Sequence, residues 1–249
     1  MIPLVYDQLN RFGKDDEFIL ALLEKANVHV VADLGCGTGR LTVHYVERGY
    51  DVTGIDPNEE ALAYAKKKWR GKEVNWVLGD SSTLKEETYD VVVLTANVAQ
   101  VFLTEQSWKK TLQDAYRGLK KGGHLIFDSR NPEAKVWEQW EQDDTPDLAV
   151  HEQTGEPLEI WTTYDGFIDD VYTFYETVKG VQSGEVYVTE KMKLKFRSHE
   201  TLQQSLEQAG FSSVYSYGDW EFKKSNPDKL ILYLSWNKII SLLYSEKYL

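Results

Sequence analysis

VVADLGCGTGR, residues 30–40, decides how this chain folds. An apolar run ends in Asp33, and Gly35, Gly37 and Gly39 then take alternate positions. Glycine loses more backbone freedom on folding than other residues, so such crowding signals a backbone shape or a close approach that side chains would block. HVVAD (29–33) reads as a buried strand, and a helix near 39–48 follows and ends at Gly49. Strand, glycine loop and helix make the opening unit of an open α/β sheet, whose ligands sit beyond the carboxyl ends of the strands.

The alternation continues outward. DVTGI (51–55), VNWVL (74–78), DVVVLT (90–95) and HLIFD (124–128) read as further strands. Between them lie a helix capped by Asn58, carrying Leu62, Ala65 and Trp69 and closed by Gly71, and a helix with Trp108, Leu112, Ala115 and Leu119 that stops at Gly122-Gly123. Residues 1–28 hold a helix with Phe18, Ile19, Leu22 and Leu23 at helical spacing. Residues 131–157 read as loop and short helix. EIWTTYDG (159–166), DVYTFYETVKG (170–180) and GEVYVTEKMKLKF (184–196) then alternate as an antiparallel meander, with hairpin turns at 166–167 and 182–184. HETLQQSLEQAG (199–210) is a helix, and FSSVYSYGDW (211–220) and LILYLSW (230–236) are closing strands, with Trp220 a packing residue.

The expected fold is a doubly wound, mostly parallel, seven-stranded Rossmann-like α/β sheet with an inserted antiparallel β meander as substrate cover. The expected units are a helical cap (1–28), a cofactor-binding core (29–130), the cover (131–197) and a returning helix with closing strands (198–249).

Composition narrows the function. Net charge is −12, a field that repels phosphodiester backbones, so no nucleic-acid partner is expected. The cluster KKKWRGK (66–72) reads as a solvated helix end. No run reaches the ~18 apolar residues of a membrane span, and the N-terminus lacks a signal-type apolar core, so a cytoplasmic protein is expected. Cys36 is the single cysteine and reads as a packing residue within the glycine loop. The five histidines are scattered, so no metal is expected.

Spacing discriminates among ligands. The dinucleotide fingerprint needs glycine at position 40, where Arg40 stands. Asp56 ends the second strand, placed to accept from both hydroxyls of a ribose. Asp80, with Ser81, ends the third, placed to read an adenine edge. Each acid has a structural alternative: Asp33 orienting the loop, Asp56 capping a helix, Asp80 sitting in a turn. Their occurrence at three consecutive strand ends favours a nucleoside ligand, and no pyrophosphate-binding feature accompanies them.

VVADLGCGTGR, VTGIDPNEEAL, LGDSSTL, YDVVVLTANVAQVF and LKKGGHLIFD together resemble the successive motifs of class I S-adenosylmethionine-dependent methyltransferases, in order across roughly residues 29–128. The resemblance implies S-adenosyl-L-methionine as cofactor. It implies that Gly35, Cys36, Gly37 and Gly39 lie along its methionine part, and that Asp33 supports the loop and the amino end. Asp56 would hold the ribose, Pro57 the adenine flank, Asp80 and Ser81 the adenine edge, and Asn97 the region of the sulfonium. Tyr6, from a closing N-terminal helix, would meet the carboxylate end, with Arg11 a second candidate.

The acceptor is less legible. TANVAQ (95–100) lacks the proline run of DNA amino-methyltransferases, and no carboxylate set for magnesium is evident, leaving a small-molecule acceptor. The cover holds 15 Asp/Glu against 6 Lys/Arg among many aromatics, which attracts amines and cations, although aromatics packing inward with acids facing water gives the same pattern. Arg130, Trp161 and Tyr175 are the substrate-contact candidates, and no catalytic base is identified. The alternatives are a non-catalytic S-adenosylmethionine sensor and an NAD-dependent oxidoreductase.

Overall fold

The computed structural model describes residues 1–213, 215–217, 222 and 231–237, the last as backbone. Trp220 and the rest of the C-terminal stretch lie outside the described residues.

Five parallel strands form the centre: β1 (Val30–Leu34), β2 (Asp51–Asp56), β3 (Asn75–Leu78), β4 (Tyr89–Leu94) and β5 (Leu119–Arg130), in the order β3-β2-β1-β4-β5. The order reverses at β1, so the crevice beyond its carboxyl end is the binding position of this topology. Val31, Ala32, Val91, Val92 and Val93 are fully buried, as strands covered on both faces require.

Helices cover both faces. α2 (Lys14–Ala26) and α3 (Thr42–Glu47) pack Phe18, Leu20, Leu23, Tyr45 and Val46 on one side. α6 (Glu105–Gly118) and α8 (His199–Ala209) pack Trp108, Leu112, Ala115, Leu202 and Leu206 on the other. α4 (Glu59–Lys67) starts at Asn58, whose side chain accepts from the Ala61 N–H at 3.1 Å. The short α1 (Pro3–Leu9) and α5 (Val98–Val101) lie at the cavity described below.

The insertion builds a second sheet, β6 (Asp147–Val150), β7 (Pro157–Ile168), β8 (Val171–Gly180) and β9 (Val186–Lys195), antiparallel in sequence order, preceded by α7 (Trp137–Trp140). After α8, β11 (Ile231–Asn237) runs antiparallel beside β5, and β10 (Tyr215–Tyr217) antiparallel beyond it. Among the described residues no helix is long and apolar enough to cross a membrane.

Several local expectations are corrected. Residues 1–28 form two helices, parted at Gly13, whose N–H is held by Asp16 at 2.9 Å. Trp69 lies beyond α4 and is 78% exposed. Helix α6 ends at Gly118 rather than Gly122, because β5 already begins at Leu119; the register with β4 then jumps from Tyr89/Leu119 to Val91/His124. The β7–β8 hairpin turns at Asp169-Asp170, both left-handed (φ 51° and 61°), the conformation that matches strand twist. Gly166 instead marks a bulge within β7. The strand β6, inside the stretch read as loop, had too few alternating residues to stand out.

The two sheets are fastened at buried polar residues. Arg197, 3% exposed, donates to Glu105 at 3.0 Å and to the Phe102 carbonyl at 2.6 Å, with its guanidinium over the Trp108 ring. Gln100, fully buried, accepts from the Arg130 N–H at 3.2 Å and donates to the Lys195 carbonyl at 3.4 Å.

Candidate functional site

A cavity of about 920 Å³ opens between the carboxyl ends of the core strands, α1, and the inner face of the cover. The glycine loop forms its floor. Gly35 is left-handed (φ +80°), and a Cβ there would stand 2.6 Å from a Val98 methyl, so only glycine fits. Its N–H bonds the Ile55 carbonyl at 2.7 Å, sewing the loop to β2.

Asp56, at the end of β2, is 6% exposed. One oxygen accepts the Gly37 N–H at 2.7 Å and the other the Asn58 N–H at 2.8 Å. Each oxygen keeps further acceptor capacity for ligand hydroxyls. Asp33, 2% exposed, accepts from the Thr42 hydroxyl at 2.6 Å. Burial pushes its carboxyl up to about 7, against the Thr42 bond and with Asp56 adding. Burial raises Asp56 too, partly offset by its backbone N–H partners.

Cys36 lines the floor, and burial, with Asp33 and Asp56 adding, drives its thiol far up. A thiol held protonated is a packing group and not a nucleophile. Arg40, where a dinucleotide fingerprint would have glycine, reaches Asp16 through two hydrogen bonds of 2.6 and 2.8 Å and ties the loop to α2. Tyr6 of α1 lines the cavity, its hydroxyl raised by burial. That helix is latched on both sides. Asp7 takes the Thr38 hydroxyl at 2.6 Å and pairs with Lys68, while the Gln8 amide bonds both backbone groups of Val150 at 2.9 Å, as a neighbouring strand would.

Of the residues singled out in the sequence, Tyr6, Asp33, Gly35, Cys36, Gly37, Asp56, Pro57, Asn97 and Arg130 line this one cavity, as does Arg11. Five others do not. Gly39 (φ +70°) lies under Trp76, whose ring would be 2.6 Å from a Cβ, so it serves packing between loop and strand. Asp80 caps its own turn, accepting from the Ser82 N–H at 2.8 Å, and Ser81 is buried against Asp114 at 2.7 Å. Trp161 and Tyr175 stand on the outer face of the cover: Trp161 bonds Glu159, and Tyr175 lies under Lys191. The inner face carries Thr162, Tyr164, Phe174, Glu176 and Met192, which are cross-strand partners in register.

Asp147, Trp140 and Asp128 also line the cavity. Arg130 lies over the Trp140 ring at 4.8 Å. Burial pushes the Glu176 carboxyl up; the Met1 amino group draws it back, and Glu190 and Asp147 push it further. Asp128 lies two residues before the end of β5, 8% exposed, and one oxygen accepts the Asn97 N–H at 3.0 Å. Sequence reasoning missed Asp128, although its position near a strand end was the available signal. Among the described residues no group of three or more His, Cys, Asp or Glu is placed to hold a metal ion.

A parallel sheet that reverses at β1, a glycine cradle that only a missing Cβ permits, and an acid at the next strand end meet at this one cavity. Residues 31–123 match the family described as a methyltransferase domain. The chain is 28% identical over 192 residues to a putative methyltransferase, YqeM, of Bacillus subtilis, covering 74% of this chain and 73% of that protein. It is 25% identical over 225 residues to a glycine/sarcosine N-methyltransferase of Aphanothece halophytica, covering 88% and 80%. In fold it is similar to an S-adenosylmethionine-dependent methyltransferase of Clostridium acetobutylicum, with a TM-score of 0.74 at 18% identity over 94% and 96% of the two chains. Together these findings support a class I S-adenosylmethionine-dependent methyltransferase, an enzyme whose cofactor is S-adenosyl-L-methionine.

Proposed function

We propose that this enzyme transfers the methyl group to the nitrogen of a small-molecule amine. The observation that carries the reading is the acceptor side of the cavity, where Glu176 and Asp147 stand beside Tyr164, Phe174 and Trp140. Carboxylates next to aromatic faces favour cations. The likeness to a protein named glycine/sarcosine N-methyltransferase supports the same reading. The cavity volume falls at the upper end of the about 300–1,000 Å³ typical of small-molecule sites, which suits a cofactor and an acceptor together.

In this reading residues 1–28 are a cap, 29–130 the cofactor domain, 131–197 the substrate cover, and 198–249 the returning helix and strands that complete a seven-stranded sheet. Asp33, the Gly35–Gly37 loop, Asp56, Pro57, Tyr6 and Asn97 hold the cofactor. The cofactor supplies an already activated methyl group. What the chain contributes is alignment: Asp56 and the loop hold one partner, the cover's inner face holds the other, and α1 excludes water. Such positioning is worth on the order of 7–11 kcal/mol of barrier.

The test is a turnover screen with methyl-labelled S-adenosylmethionine over amines, phenols and carboxylates. Label should appear on amine nitrogen. Label on oxygen alone would refute the amine assignment, and cofactor binding with no turnover of any acceptor would favour the sensor.

A further inference from the structure

We propose that Asp128 is the carboxylate that receives the N–H of the methyl acceptor and takes its proton. The assignment rests on the amine reading above.

Strand order places it. Asp56 lies on β2, to one side of the glycine loop on β1; β4 and then β5 lie to the other. A nucleoside held by Asp56 would extend along β2 and β3, which would leave the ends of β4 and β5 to the acceptor. Asp128 stands near the latter and lines the cavity.

Its two oxygens are unequal. One holds the Asn97 N–H, and thereby a wall segment in which Ala96 and Asn97 are both left-handed (φ 56° and 68°), a conformation that costs an alanine strain. The other, Oδ1, is buried and has no hydrogen-bond partner among the described residues. A buried carboxylate oxygen without a donor is costly, so a donor from a ligand fits the vacancy in its hydrogen bonding. Among the described residues, the groups that act on it are Asn97 after β4, Arg130 on its own strand, Asp15 on α2, and Tyr6 on α1. Burial dominates and pushes its carboxyl up to about 6, with Asn97 and Arg130 drawing it down and Asp15 raising it. It is therefore anionic at neutral pH.

The chemistry balances. An acceptor arrives as R–NH3⁺ with no lone pair to donate. Asp128 takes one proton and becomes the carboxylic acid. The freed nitrogen lone pair forms the new N–C bond while the C–S bond breaks and its electron pair stays on sulfur. R–NH2–CH3⁺ leaves, and the carboxylic acid returns its proton to water.

The test compares wild type with Asp128→Asn and Asp128→Glu, using glycine, sarcosine and D-glucosamine as acceptor probes. Asparagine keeps the acceptor for the Asn97 N–H while removing the charge. Calorimetric affinity for S-adenosylhomocysteine should stay within about twofold in Asp128→Asn, while kcat falls roughly 100-fold, the size of a general-base contribution. Wild-type kcat should decline below about pH 6, and the residual rate of Asp128→Asn should lack that acid limb. Asp128→Glu should restore part of the rate together with the limb. Wild-type kcat in Asp128→Asn, an unchanged acid limb, or a loss of S-adenosylhomocysteine affinity parallel to the loss of rate would overturn the assignment. Failure of wild type to methylate any of these amines would instead overturn the amine reading, and this assignment with it.

Discussion

Asp33, Asp56 and Asp128 reach the cavity because each stands where a parallel strand ends or nearly ends; Thr162, Tyr164, Phe174, Glu176 and Met192 reach it because each stands on one face of an antiparallel sheet. The core therefore brings single residues to a crevice from separate strands, and a shift of one residue alters one contact. The cover brings a whole face, and a shift of one residue exchanges every contact for its neighbour. The difference also sorts the acids. Those of the core are buried, and all three carboxyls are raised by burial. Asp169 and Asp170, on the cover's hairpin turn, face water.

The largest expected effect follows from that sorting. Asp33 binds its proton up to about pH 7 in the folded protein and only up to about 3.9 unfolded. Between those values the native state holds the extra proton, so stability falls as pH rises from about 4 and levels off above about 7. Asp33 alone accounts for a change on the order of 4 kcal/mol. Urea unfolding of the cofactor-free protein from pH 4.5 to 8 measures the slope, and Asp33→Asn should flatten much of it. A slope unchanged in that variant would show that the buried acids of the floor do not control the pH response.

Next in size is Asp56→Ala. It removes the acceptor of the Gly37 N–H in the loop and of the Asn58 N–H at the start of α4, and cofactor affinity should fall about 100-fold, near 3 kcal/mol. Calorimetry with S-adenosylmethionine decides it; unchanged affinity would mean that the strand-end rule does not describe the core's site.

The smallest effects separate the two faces of the cover. Phe174→Ala should raise the acceptor KM about tenfold, close to 1.4 kcal/mol, with cofactor affinity unchanged. Tyr175→Ala, one position on but facing outward, should change both by less than about twofold. Equal effects from the pair would break the facial distinction.

Much of the core was legible from residues 29–128, and the reason is local. Asp33, Gly35, Gly37 and Asp56 sit next to the strands that place them, so a strand followed by glycines already states where they must be. Asp80 and Ser81 were legible as strand-end residues too, yet Asp80 closes on Ser82 and Ser81 on Asp114, partners that strand spacing does not reveal. The beginning of β5 was misjudged because LKKGG looks like a helix end followed by a turn, while pairing with β4 draws Leu119 into the sheet. In the cover, alternation announced strands without saying which set of alternate residues faced inward. Trp161 and Tyr175 were the conspicuous aromatics of the wrong set.

By itself the sequence determined a parallel α/β core, a glycine cradle at its first strand and an acid at the second, because periodicity and backbone-demanding glycines are properties of adjacent residues. Only the tertiary structure decided which face of the meander closes the cavity, that Arg40 clasps Asp16, that Gln8 completes the edge of β6, and that Asp128 is left with one oxygen unmatched. Each of those depends on groups far apart in the chain meeting at hydrogen-bond distance, and no spacing along the chain encodes such a meeting.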